Sequence, residues 1–259
     1  MDAARGVDLF SMAGRTVLVA GASGGIGAEA ARGLSAAGAQ VALGGRRAEA
    51  LQALADALPG SFALPFDMVD DGAAEAAVEA VLARTGRLDA LICAAAARDR
   101  RSLAEIEPEA FRALMEANLA APFRLARAAA PRMAATGRGR IVMFTSLAGA
   151  FAMPGDVAYP ASKAGLGGLV RALAVELGPQ GVTVNGIAPG PVATEVNAPL
   201  AAKPEWQAMI RRSVPLQRWA GPAEMVGATL FLASDASSYM TGQILTVDGG
   251  ASVRMFPMD

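Results

Sequence analysis

The sequence predicts an α/β fold: a single doubly wound domain over residues 1–259, with a seven-stranded parallel sheet and helices on both faces. Three features carry that expectation. Short apolar runs alternate with longer, alanine-rich segments of helical period, the pattern of repeated βα units. The apolar runs are near-continuous rather than alternating, as in strands covered on both faces. A glycine-rich turn links the first run to the first helical segment, which favours an open sheet over a barrel of eight units.

The elements follow in order. Residues 16–20, Thr-Val-Leu-Val-Ala, form a buried strand, and 27–37 a helix. A strand at 40–43 leads to a helix at 48–58. The strand at 62–66 is assigned despite Pro65, and a helix at 73–84 and a strand at 90–93 come next. Residues 108–135 read as one long helix, with Pro122 and Pro131 as points of kink or break. A strand at 140–145, a helix at 157–177 and a strand at 182–187 follow. Residues 195–213 read as a loop. A helix at 222–233 and a strand at 243–247 close the series.

Composition narrows the classes of function. Charged residues make up 18% and the hydrophobic set 53% of the 259 residues, which excludes a disordered chain. A chain of this length buries roughly 70–75% of its unfolded surface and needs no disulfide or metal staple. With one cysteine and no histidine, no intrachain disulfide framework and no metal site is expected. Every Ser-His-Asp or Cys-His hydrolase arrangement is excluded too. The net charge is −1 and the basic residues are scattered, so no nucleic-acid partner is expected. Residues 1–12 lack the apolar core of a signal peptide. The longest uncharged stretch, 177–194, is interrupted by Pro179, Pro189 and Pro191, so no membrane association is expected. The mean hydropathy of +0.36 reflects alanine, and the expected location is cytoplasmic.

Gly21-Ala-Ser-Gly-Gly-Ile-Gly27 lies between the first strand and the first helix. Glycines at 21, 25 and 27 allow a sharp turn and close approach to a pyrophosphate. The helix start behind them offers unpaired N–H groups. Ser23 adds a hydroxyl, and Ile26 belongs to the same cradle. The Gly-Lys-Ser/Thr ending of a P-loop is absent, so the motif points to a Rossmann-type dinucleotide site. After the second strand, where an NAD-selective site has an acid, stand Gly45, Arg46 and Arg47. A guanidinium suits a 2′-phosphate, so NADP is expected over NAD; the alternative is two solvated arginines at a helix start. Asp67 either accepts from an adenine amino group or caps the next helix. Met68, Ala94 and Ala95 complete the expected cofactor contacts on that side.

A second cluster lies downstream. Tyr159 follows Ser146 by thirteen residues, and Lys163 comes four later. In a helix starting near 157, Tyr159 and Lys163 share one face, and Pro160 falls in the first turn, where it is tolerated. Such a trio suits a reaction that needs a proton at an oxygen when hydride reaches a carbonyl carbon. A phenol of ordinary pKa, about 10, supplies little phenolate near neutrality. An ammonium at ~4 Å contributes about 4 kcal/mol at an effective dielectric of ~20, before solvent screening. That is worth about three pKa units. Ser146 then positions the substrate oxygen.

With both motifs in place, the chain resembles the short-chain dehydrogenase/reductase family, of the type roughly 250 residues long. The resemblance runs from the glycine loop to Val247-Asp-Gly-Gly250. It implies an NAD(P)-dependent oxidoreductase that interconverts a secondary alcohol and a ketone. It further implies Tyr159 as acid/base, Lys163 as the residue lowering its pKa, and Ser146 as the substrate-positioning hydroxyl. Asn118, in Glu116-Ala-Asn118-Leu, matches the asparagine that supports a proton-relay water with the lysine. Pro189, Gly190, Val192 and Thr194 would line the nicotinamide, with the Val192 backbone and the Thr194 hydroxyl on its carboxamide. Tyr159 and Lys163 would also touch the cofactor, the lysine at the ribose. Residues 190–215 would form the substrate loop, offering Leu200, Trp206 and Met209. The family also implies a homotetramer, with the tail 253–259 packed on a neighbouring subunit.

The chain departs from the family pattern at two places. Ala20 stands where threonine is usual, and Cys93-Ala-Ala-Ala96 replaces Asn-Asn-Ala-Gly. The second change removes a strand-bridging amide and a glycine beside the ribose; Cys93 itself reads as a small buried apolar residue. Substrate expectations divide between a polyol or sugar acid and a 3-oxoacyl thioester. Ala150, Met153 and Tyr159 are expected near the reacting carbon. Arg98, Arg100 and Arg101 either meet a carboxylate or a phosphopantetheine, or form a solvated loop. The competing readings are a non-catalytic dinucleotide-binding sensor or scaffold, and a sugar-nucleotide epimerase or dehydratase.

Overall fold

In a computed structural model, residues 9–254 are described. Seven strands lie in one sheet: Thr16–Ala20 (β1), Gln40–Gly45 (β2), Phe62–Pro65 (β3), Ala90–Cys93 (β4), Gly139–Phe144 (β5), Val182–Pro189 (β6) and Ile244–Val247 (β7). Their order is β3-β2-β1-β4-β5-β6-β7, and every pairing is parallel. This is the doubly wound arrangement expected from the alternating pattern. Continuous apolar strands explain it. Leu18, Leu91, Cys93, Ile141 and Met143 point to one face of the sheet, and Val17, Val19, Ile92, Val142 and Phe144 to the other. Each strand therefore needs a helical layer on both sides.

Those layers come from the connections. Ala73–Thr85 (α3), Ala121–Ala134 (α5) and Ala158–Leu177 (α6) cover the first face through Val78, Leu125, Met133, Leu166 and Val170. Gly25–Ala36 (α1), Ala48–Ala57 (α2) and Val226–Ala233 (α9) cover the second through Leu34, Leu51, Leu54 and Leu232. Small residues set the spacing. A side chain at Gly33 of α1 would overlap Val226 of α9. Among the described residues, no helix is long and apolar enough to cross a membrane.

Three expectations are corrected. The long helix over 108–135 is divided into Pro108–Met115 (α4), a π-helical turn Glu116–Ala120, and α5. Pro122 lies in the first turn of α5. It has no N–H to give to the carbonyl of Asn118 four residues earlier, and a local rewinding absorbs the mismatch. Residues 195–213 are not a plain loop: Ala198–Ala201 (α7) and Pro204–Ser213 (α8) are helical. Proline stands in the first turn of each, which is the position helices favour for it. The segment 222–233 begins as a 3₁₀ turn, Pro222–Met225, before α9. Residues 255–259, most of the tail expected to meet a neighbouring subunit, lie outside the described residues, as do residues 1–8.

The strand order reverses between β1 and β4. The chain builds outward through β2 and β3, then returns to place β4 on the other side of β1. In open α/β sheets, ligands bind in the crevice outside the carboxyl ends of the strands at such a reversal. Both motifs singled out from the sequence sit at that edge.

Candidate active site

The glycine loop is built by exclusion of side chains. A Cβ on Gly21 would stand 2.5 Å from the Ala95 nitrogen, so the β1 and β4 loops touch backbone to backbone. Gly21 has a φ of +97°, which only glycine adopts readily. A Cβ on Gly27 would overlap the Gly21 carbonyl, so helix α1 can start directly on the turn. Its N-cap is Gly24, without a side-chain cap and without an acid in the first turn. The N–H groups there are left for an anionic ligand. This cradle fits the pyrophosphate of a dinucleotide.

Arg47 lies across the same loop. Its Nη2 donates to the Ser23 carbonyl at 2.9 Å, and its guanidinium stands 3.5 Å from the Glu195 carboxylate. Arg46 is the more open of the two. It extends beside Asp67 at 3.7 Å with its side chain 77% exposed. Asp67 also accepts from the Val69 N–H, as in an Asx turn, and Met68 is buried. No carboxylate follows β2, which ends on Gly44 and Gly45. Just after β6, a Cβ on Gly190 would stand 2.6 Å from the Asp248 Cα. Val192 is buried, and its carbonyl accepts from Asn197 Nδ2 at 2.9 Å. Thr194 touches the glycine loop: its methyl group would meet a Cβ on Gly25 at 3.5 Å.

The altered β4 end holds its place through the backbone. Ala94 and Ala95 both donate N–H bonds to the Ala20 carbonyl, at 2.8 and 3.0 Å. Ala97 is gripped from both sides by Asn118, whose Oδ1 accepts from the Ala97 N–H at 2.7 Å and whose Nδ2 donates to the Ala97 carbonyl at 2.9 Å. Asn118 Nδ2 also donates to Ser162 Oγ at 3.0 Å. The wholly buried Asn118 side chain therefore ties the β4 loop to α6. The side-chain amide is thus engaged with Ala97 and Ser162. Burial pushes the Cys93 thiol up to about 12, so it is a neutral apolar neighbour.

Ser146, Tyr159 and Lys163 come together at the end of β5. Helix α6 begins at Ala158, which puts Pro160 in its first turn and Lys163 one turn beyond Tyr159. Lys163 is 2% exposed and donates from Nζ to the Phe144 carbonyl at 2.7 Å. Burial pulls its ammonium down to about 8. Its Nζ lies 5.7 Å from the Tyr159 ring centroid. The phenol itself is pushed up by burial, and the strongest opposing influence is Arg98, followed by the Ser146 side chain. Arg98 thus joins Lys163 beside the phenol. Its Cζ stands 4.4 Å over the ring of Tyr159, and its Nη2 pairs with Asp156 at 2.5 Å. Neither Arg98 as a neighbour of the phenol nor Asp156 as its partner is legible in a spacing pattern. Only the fold places the β4 loop against the start of α6. Arg100, from the same loop, donates to Asn197 Oδ1 at 2.8 Å. Arg101 instead turns back onto Asp99.

Comparison with known proteins places these features in a family. A family model described as Enoyl-(Acyl carrier protein) reductase matches residues 21–252. The chain is 39% identical over 253 residues to gluconate 5-dehydrogenase of Gluconobacter oxydans (strain 621H), covering 96% of this chain and 98% of that one. It is 35% identical over 242 residues to the 3-oxoacyl-[acyl-carrier-protein] reductase FabG of Rickettsia bellii (strain RML369-C), covering 93% and 98%. The crystal structure of a gluconate 5-dehydrogenase from Burkholderia cenocepacia J2315, in complex with NADP and tartrate, superposes with a TM-score of 0.92. It is 33% identical, and the match covers 96% of this chain and 100% of that one.

The buried lysine gives a pH dependence that can be measured. Its ordinary value is 10.5 and its folded value about 8. Between the two, the unfolded chain binds more protons, so stability rises with pH. The destabilising contribution is full below about 8 and gone above 10.5. Lys163→Met carries no such contribution. The stability of the natural chain relative to Lys163→Met is therefore expected to climb by about 3 kcal/mol across that window. Urea unfolding of both proteins at a series of pH values reads the difference; a flat difference refutes it.

Proposed function

Because this chain belongs to the short-chain dehydrogenase/reductase family, and so is an NAD(P)-dependent oxidoreductase acting between CH–OH and C=O, we propose that it interconverts a sugar acid and its keto form, with Tyr159 as the proton-transfer group. The observation that carries this reading is the wall beside the phenol. Arg98 and Arg100 both reach it, and Asp156 is the carboxylate set against them. Burial and the like charge of Arg98 both disfavour the charged form of Arg100, so an added anion relieves that repulsion. A carboxylate answers the spare positive charge, and Asn197, Ser146 and the second oxygen of Asp156 suit hydroxyls. The sugar-acid relatives and the tartrate held by the solved neighbour support the same substrate class.

The chain's own groups divide the work. Bound at the crevice, the dinucleotide accepts or supplies the hydride. Tyr159 takes the hydroxyl proton in oxidation and returns it in reduction. Ser146 donates to the substrate oxygen and holds it near the phenol. Lys163, anchored on the Phe144 carbonyl, lines the floor beside Tyr159 and meets the cofactor ribose. Gly21, Ser23, Gly25, Ile26 and Gly27 cradle the pyrophosphate, and Pro189, Gly190, Val192 and Thr194 line the nicotinamide. Arg46, more open than Arg47, meets a 2′-phosphate, and NADP is preferred over NAD.

Four measurements test these assignments. Tyr159→Phe is expected to lower turnover by roughly a hundredfold to ten-thousandfold while leaving NADPH binding intact; an active variant overturns the role. Across D-gluconate, threitol, simple ketones and an acetoacetyl thioester, each tried with both cofactors, the sugar acid is expected to give the highest kcat/KM. Arg100→Ala is expected to raise its KM about tenfold with little change in kcat; preference for the thioester refutes the substrate class. Arg46→Ala is expected to raise KM for NADP about tenfold and leave KM for NAD unchanged. Equal use of the two cofactors before and after the change removes the argument for a 2′-phosphate.

A further inference from the structure

We propose that Arg98, clamped by Asp156 against the face of Tyr159, is a positioning residue that fixes the ring and supplies the positive charge beside it. The inference rests on Tyr159 being the proton-transfer group. It stands first on geometry. The guanidinium carbon lies 4.4 Å from the ring centroid, within the range of a cation–π contact. Asp156 is buried, its side chain 7% exposed, and its Oδ2 receives Arg98 Nη2 at 2.5 Å. A buried carboxylate is costly unless paired, and losing its partner costs more, so Asp156 holds Arg98 where it is. Asp156 lies three residues before Tyr159, at the entry to α6, while Arg98 lies on the β4 loop. Asn118 fixes that loop at Ala97, the residue next to Arg98. The pair therefore bridges the two segments that meet at the phenol.

The chemistry follows from the charges that face the hydroxyl. From the β4 loop these are Arg98 and Arg100, from the entry to α6 Asp156, and from the end of β5 the neutral Ser146. On α6 itself, Lys163 is turned to the Phe144 carbonyl and weakened by burial. Cys93, which adjoins Lys163, stays protonated. Arg98 acts against the burial that keeps the phenol neutral, and Asp156 opposes Arg98 by less. A permanently charged guanidinium does not lose its effect near pH 8 as the buried lysine does. Its second task is steric: a ring sandwiched by a held cation keeps one orientation for proton transfer.

The protein has two tyrosines, and Tyr239 is fully exposed. In a Tyr239→Phe background, tyrosinate absorbance therefore reports Tyr159 alone, without turnover. Arg98→Gln is expected to move that titration to more alkaline pH, and Arg98→Lys to restore part of the difference. In D-gluconate oxidation with NADP, Arg98→Gln is expected to lose roughly tenfold in kcat/KM on the acid limb, a loss that closes as pH rises. A purely structural role would lower activity by the same factor at every pH. If Arg98→Gln folds poorly because Asp156 is left unpaired, Arg98→Gln/Asp156→Asn removes that cause. It is expected to shift the titration in the same direction by a smaller amount. Coincident tyrosinate titrations for folded variants and parent overturn the inference. Because they are read without substrate, that result is distinct from failure of the Tyr159 assignment, which Tyr159→Phe kinetics reports.

Discussion

The structure depends on a backbone-to-backbone contact between the loops that leave β1 and β4. No side chain fits at residue 21, because the Ala95 nitrogen occupies its space, and none fits at residue 27, because the Gly21 carbonyl does. These two exclusions place the start of α1 directly at the mouth of the crevice where the strand order reverses. They also set the β4 loop at a fixed height, from which Ala97 reaches Asn118 and Arg98 reaches Tyr159. The glycine loop and Tyr159, which lie far apart in sequence, thus share one edge of the sheet. The spacing between them is held by main-chain contacts rather than by adjustable side chains.

The same contact explains why the unusual β4 ending is tolerated. Where an asparagine amide is usual, the chain has alanine, and the main chain holds this stretch with two N–H bonds to the Ala20 carbonyl. The remaining polar tie is carried from the other side by Asn118, which closes a two-point bond on Ala97. Pro122 contributes by denying that stretch a regular helical continuation, and a π turn results. The turn carries Asn118, which is wholly buried, and from there its amide reaches both the β4 loop and Ser162. In the fold, the Asn118 side chain is a bracket between two segments of the site.

Much of this was legible in advance because the signals are local. The strand and helix alternation, the glycine cradle and the one-turn spacing of Tyr159 and Lys163 all depend on residues a few positions apart. Pro160 helped, since a proline tolerated only in a first turn marks where α6 begins. The helices α7 and α8 are harder to read, because α7 is a single turn and proline near each start reads equally well as a break. The place of Arg98 beside the phenol is illegible for a different reason. Spacing along one helix reveals Lys163, but the Arg98–Asp156 pair joins residues 58 positions apart, and no periodicity records it.

Burial limits what a cation can do beside a phenol. Putting an ammonium beside a phenol helps only while it stays charged, and the burial that brings Lys163 into the floor of the site also weakens its hold on the proton. The two demands conflict in a single lysine. Dividing them resolves the conflict. Lys163 keeps the buried position, with the Phe144 carbonyl as its partner. Charge at the ring comes from a guanidinium whose side chain is 26% exposed, so that water offsets part of its desolvation, and whose charge is indifferent to any pH the protein meets. Asp156 then does for Arg98 what backbone contacts do for the glycine loop: it removes a degree of freedom at the one place where the site cannot tolerate it.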